Sequence, residues 1–208
     1  MKIRLLCALG TLLLLATPAA AEEVLLGLYY DRAHDGHGYE LHKVGDIYVL
    51  YFYTFEDSGD PEWLLGVAEM DNGVIAGPLQ RYTYDPDGDP KATPDPTFDG
   101  EFRLDLTKGL ASEACDTPRN DAEQVGEFFW RVGRSSGLWC TEFLPVGGEH
   151  NRNPYYGGVW YAGEGDSGYG FTMSHMGNNY SGLVYYYDSQ GEPRWALGTA
   201  PDSSSCHS

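Results

Sequence analysis

The chain has 208 residues with 31 acidic and 13 basic side chains, a formal charge of −18, and 14% Phe, Trp and Tyr. So large an acidic excess argues against a nucleic-acid partner and against an anionic membrane surface, since both call for clustered Lys and Arg. The length suits one domain with an ample core.

Met1–Ala21 reads as a secretory signal: Lys2 and Arg4, an apolar run from Leu5 to Leu15, then Pro18 and the triplet Ala19-Ala20-Ala21. The run is too short to span a bilayer, and no later stretch is apolar for long enough, so no membrane insertion is expected once the signal is gone. Its loss removes two cations and no acids, which takes the charge from −18 to −20. The expected location is secreted or periplasmic. A single domain over residues 22–201 and a tail over 202–208 complete the division.

After the signal, short Tyr, Val, Leu and Trp runs alternate with Gly, Pro, Asn and Asp clusters, the pattern of an antiparallel all-β protein. In chain order the first strands are expected at Val24–Tyr30, Gly38–Val44, Ile47–Phe55, Trp63–Met70, Val74–Tyr84 and Glu101–Leu106. A short helical turn is expected at Ala111–Ala114. Strands then resume at Gly126–Val132, Gly137–Phe143, Gly158–Tyr161, Gly170–His175, Gly182–Tyr187 and Arg194–Gly198. Ile47–Phe55 is apolar or aromatic on both faces, which predicts a strand covered on both sides or one face meeting a ligand.

One phrase occurs twice, offset by about 132 residues, with roughly a third of the positions identical. The copies span about residues 27–68 and 158–200. Shared positions are Gly36/Gly168, Gly38/Gly170, Tyr53/Tyr185, Gly59/Gly191, Pro61/Pro193, Trp63/Trp195 and Gly66/Gly198. These are folding residues, and they include no acid, base or metal ligand. The strands after Trp63 have no counterpart after Ala200. The expectation is therefore one antiparallel barrel or sandwich built from two hairpin-rich copies in a pseudo-twofold arrangement, its first and last segments meeting to close it.

Cys115, Cys140 and Cys206 follow the signal. In an exported chain one disulfide is expected, and Cys115–Cys140 is preferred because it closes a loop of about 25 residues. Pairing of either with Cys206 stays open.

Catalytic patterns are weak. Asp85, Asp87 and Asp89 open like a calcium loop, but Pro90 and Pro96 stand where that loop needs Gly and Glu. His34, His37 and His42 with Asp31 and Asp35 lack ligand spacing and read as exposed loop histidines. Glu40, Glu62, Glu142 and Glu164 are the carboxylates a hydrolase would draw on. No metal or cofactor is expected, and the reading leans away from catalysis. Aromatics are the stronger lead, because exposed Tyr and Trp stack on sugar rings or fill protein hot spots. Tyr155 and Tyr156 come first, then Tyr29 and Tyr30 with Trp160 and Tyr161. The expected role is a binding module for a glycan or protein. The alternatives are an acidic inhibitor of a basic secreted enzyme and a carboxylate-dependent hydrolase.

The phrase G-x-[WY]-Y … G-x-G … Y-x-[YF] … G-x-P-x-W-x-x-G resembles repeats in poorly characterised exported proteobacterial β-repeat proteins, as does the tract Ser136–Glu142. The resemblance implies export and a β-rich repeat fold, and it brings no catalytic residues.

Overall fold

The computed structural model describes residues 23–84, 95–115, 121–144, 158–161, 169–176 and 179–201. The signal segment, the calcium-like acids Asp85, Asp87 and Asp89, Gly168, Cys206 and the tail lie outside the described residues.

All twelve expected strands form: β1 (Gly27–Tyr30), β2 (Gly38–Val44), β3 (Ile47–Phe55), β4 (Pro61–Asp71), β5 (Val74–Thr83), β6 (Asp95–Asp105), β7 (Val125–Val132), β8 (Ser135–Phe143), β9 (Gly158–Tyr161), β10 (Gly170–Met176), β11 (Asn179–Tyr187) and β12 (Pro193–Pro201). The helical turn is a single 3-10 turn at Gly109–Ala111, two residues earlier than expected.

Strands β1 to β8 run up and down as a closed antiparallel barrel, with β8 returning to pair with β1 at Tyr29↔Phe143 and Tyr30↔Glu142. Eight strands enclose a space that side chains just fill. Alternation decides which: Tyr39, Leu41, Leu50, Phe52, Phe102 and Phe128 point inward and are essentially inaccessible to water. Two phenols enclosed in the barrel satisfy their hydroxyls. The single Tyr29 proton has two acceptors within reach, the Leu25 carbonyl (2.8 Å) and Gln124 Oε1 (2.6 Å), and Tyr39 Oη lies 2.9 Å from Thr141 Oγ1. The outer rows of β6 and β7 carry paired charges instead, Arg131–Glu101 at 3.0 Å and Arg103–Asp105 at 2.6 Å.

The second copy does not help to close this barrel, which corrects the expectation of one closure shared by both copies. Strands β9 to β12 form a separate sheet of order β12-β11-β10-β9 that lies against the outside of the barrel. The reason is in β3. Its inner row (Tyr48, Leu50, Phe52) fills the barrel, and its outer row (Tyr51, Tyr53, Phe55) would face water unless covered. The sheet covers it: Tyr185 stacks on Tyr51 with centroids 4.4 Å apart, and Trp195 packs on Tyr53 and Phe55.

Local pairing does recur. Tyr30↔Gly38, Gly38↔Tyr53 and Tyr53↔Trp63 in the barrel have the counterparts Tyr161↔Gly170, Gly170↔Tyr185 and Tyr185↔Trp195 in the sheet. The hairpin turns match as well: Glu56 N–H donates to the Asp60 carbonyl and Asp188 N–H to that of Glu192. Gly59 and Gly191 hold those turns at φ of 88° and 81°, where a Cβ is penalised. The surroundings differ. Trp63 is buried at 5% exposure, whereas Trp195 is half-buried and donates from Nε1 to the Thr54 carbonyl. The matched registers are a likeness of pairing, and they do not make the copies twofold-related halves of one barrel.

The disulfide is Cys115–Cys140, across 25 residues, and it pins the segment after β6 to β8.

Candidate functional site

Alternation along β11 turns Leu183, Tyr185 and Tyr187 toward the barrel and leaves Val184 and Tyr186 pointing away. The register carries that outward row across the sheet, since Phe171 pairs with Trp160 on one side and with Val184 on the other. Trp160 and Phe171 are 44% and 40% exposed and lie parallel, with ring centroids 6.0 Å apart and planes within 3°. Tyr161, Tyr169 and Tyr186 border them and line a shallow depression of about 360 Å³. The result is a flat aromatic surface with few polar atoms. Of the sequence candidates, Trp160 belongs to it and Tyr161 borders it. Phe171, Val184 and Tyr186 were missed, although the alternation around Tyr185 marks Val184 and Tyr186 as facing away from it.

The other candidates sit elsewhere. Tyr29 is a correction: it is wholly buried in the barrel core, stacked on Tyr39 at 5.0 Å, and meets no ligand from solvent. Tyr30 points out of the barrel beside Glu142 and Arg32, where burial and then the Glu142 carboxylate raise its phenol pKa. Tyr155 and Tyr156 lie outside the described residues.

Of the four carboxylates, Glu164 is outside the described residues, and the other three are engaged at three different places. Glu40 is buried between barrel and sheet, accepting from Thr172 Oγ1 and from Ser174 Oγ (2.8 Å). Glu142 takes the Arg32 guanidinium, which also reaches Asp121 at 3.1 Å. Glu62 points into one end of the barrel and pairs with Arg81. They do not face one another across a common cleft.

That barrel end is a second place where polar and aromatic groups meet. A cavity of about 500 Å³ opens there between the β1–β2 loop and the β3–β4 and β7–β8 turns. His37 Nδ1 lies 2.9 Å from Thr54 Oγ1, and burial followed by the nearby charge of His34 lowers its pKa. His34 pairs with Asp31 at 2.9 Å and stacks on Trp139. His42 departs from the reading as an exposed loop residue: it lies on β2, buried, 3.3 Å from Glu40. Among the described residues, no group of three or more His, Cys, Asp or Glu side chains is arranged to hold a metal ion.

An ion cluster ties this end to the sheet. Arg194 bridges Asp188 (2.7 Å) and Glu56 (3.2 Å), and Arg81 reaches Glu192 at 3.6 Å as well as Glu62. The Tyr84 N–H donates to the Gly191 carbonyl beside it. No family model, no curated protein and no solved structure matches this chain.

Proposed function

We propose that the protein is an exported, non-catalytic binding module that takes up a glycan on the outer face of the β9–β12 sheet. The observation that carries this is the parallel, half-exposed pair Trp160 and Phe171, extended by Val184 and Tyr186 on a face that points away from the barrel, with the exposed Tyr161 at its edge. Flat rings offer a sugar's C–H face a large contact at little entropy cost, because the sheet already fixes their orientation. An apolar surface of this kind on an otherwise acidic protein marks a place of contact.

Other features support the setting. A disulfide suits an oxidising compartment, in keeping with the signal-like N-terminal segment. The barrel is aromatic inside and carries ion pairs outside, the inverse of a membrane-spanning barrel. The resemblance to exported proteobacterial β-repeat proteins belongs to the same reading.

The test is retention on insoluble envelope and extracellular polysaccharides, followed by tryptophan fluorescence titration with the soluble fragments. Trp160→Ala and Phe171→Ala are each expected to weaken binding about tenfold, or about 1.4 kcal/mol, with the fold intact by circular dichroism. Binding that ignores both substitutions defeats the reading. Salt-sensitive capture of a basic protein, with no polysaccharide retained, favours the inhibitor alternative instead.

A further inference from the structure

Most of the barrel interior is closed by apolar side chains, but the end near Trp130 is not. There Glu62, whose side chain is 4% exposed, points inward and pairs with Arg81 at 22% exposure. Replacing such a pair with well-packed apolar side chains is usually neutral or stabilising. Stability alone therefore does not account for an ion pair in this layer. Trp130 lines the same cavity, and its indole N–H is buried without an acceptor among the described residues. It is therefore the Trp130 ring, rather than this enclosed N–H, that the cavity offers an occupant. On the rim, Arg134 is exposed and makes no ion pair among the described residues, in a chain where acids outnumber bases 31 to 13.

The wall is also nearly balanced in charge. Glu56, Asp57 and Glu62 stand against Arg81 and Arg134, and Arg194 comes within 3.2 Å of Glu56 from the sheet. A charged ligand gains little from such a wall. A neutral ligand whose every polar group both donates and accepts gains more, provided it has an apolar face for Trp130 and Phe55. The volume, about 500 Å³, falls within the range of small-molecule sites.

The geometry points to a second ligand site in this barrel mouth, for one neutral pyranose ring, free or at the end of a chain. The site shares no residue with the aromatic face of the sheet and does not depend on that face binding anything.

Saturation-transfer NMR and tryptophan fluorescence with the methyl glycosides of glucose, galactose, mannose and N-acetylglucosamine test it, with glucuronic acid and glucosamine as charged comparators. At least one neutral glycoside is expected to saturate with a Kd of about 1 mM, and the comparators to bind roughly tenfold more weakly. Trp130→Ala, which takes the ring out of the wall, is expected to weaken binding about tenfold. Ser135→Trp plugs the exposed rim without touching the core, so it is expected to abolish the signal in a protein with an unchanged circular dichroism spectrum. That loss assigns the binding to the mouth rather than the sheet. No saturation by any neutral glycoside at about 50 mM, tighter binding of a charged comparator, or binding indifferent to Ser135→Trp overturns the inference.

Discussion

Gly38 and Gly170 answer to one constraint in two places. A Cβ at Gly38 would stand 2.3 Å from the Tyr29 carbonyl oxygen, and one at Gly170 would stand 2.7 Å from that of Trp160. Backbone cannot step aside as a side chain can, so the neighbouring strand dictates glycine at both. The pair Gly66 and Gly198 behaves differently. At Gly66 a Cβ meets the Phe102 ring at 2.5 Å inside the barrel, while at Gly198 nothing lies within 4 Å. Gly66→Ala is therefore expected to cost about 2–3 kcal/mol, because the core ring must move. Gly198→Ala should stay within about 0.5 kcal/mol of the parent protein. Urea denaturation of the two variants checks this, and equal losses would show that the shared glycine has one role in both copies. Sequence identity made these positions visible, yet it could not say which glycines are required, since that depends on which atoms another strand brings near.

The sheet is held to the barrel wall by aromatic stacking around one buried carboxylate. Glu40 points outward from β2 into the seam, with the Thr172 and Ser174 hydroxyls of β10 donating to it. Tyr51, Tyr53 and Tyr185 surround it, and burial first, then the Glu40 charge, raises their phenol pKa, that of Tyr51 to about 12. Glu40→Ala removes the acceptor for two hydroxyls and is expected to lower stability by about 3 kcal/mol. Glu40→Gln keeps an acceptor oxygen and should recover part of the loss. Denaturation midpoints and the near-ultraviolet circular dichroism of the stacked tyrosines read the effect, and an unaltered midpoint in Glu40→Ala would mean that the seam is held by ring packing alone. Sequence had offered Glu40 only as one of several abundant acids. What distinguishes it is the packing of β2 against a strand of the other sheet, which brings a partner from 132 residues away, and no local pattern records that.

For the molecule as a whole, the burial of phenols sets an alkaline limit. Tyr39, Tyr53 and Tyr185 are enclosed, and desolvation pushes their pKa well above the ordinary value of 10.0. Below about pH 10 these phenols are neutral in both the folded and the unfolded chain, and they cost nothing. Above it the unfolded chain releases their protons while the folded chain retains them, so stability falls as pH climbs toward the raised values. Absorbance at 295 nm should rise in two steps, exposed tyrosines first and the enclosed ones together with loss of the circular dichroism signal. A single step near pH 10 with the fold intact would contradict the packing described. The strand content was readable because alternation and turn residues are local. Which strands close the barrel was not, because the pairing of β1 with β8 leaves no mark on either strand. The same gap hid Tyr29, since its own neighbours do not reveal that its side of β1 faces inward, and it hid Trp130, which becomes part of a cavity only when the ring of strands is complete.

The eight-membered ring has spent every one of its strand edges on itself, whereas the smaller sheet is a ribbon with two borders. Strand β12 runs beside β4, and among the described residues β9, four residues long, pairs on one side only. Self-association through added strands therefore begins on this sheet rather than on the barrel, either at β9, whose four residues hold a stray chain poorly, or along the exposed end of β12.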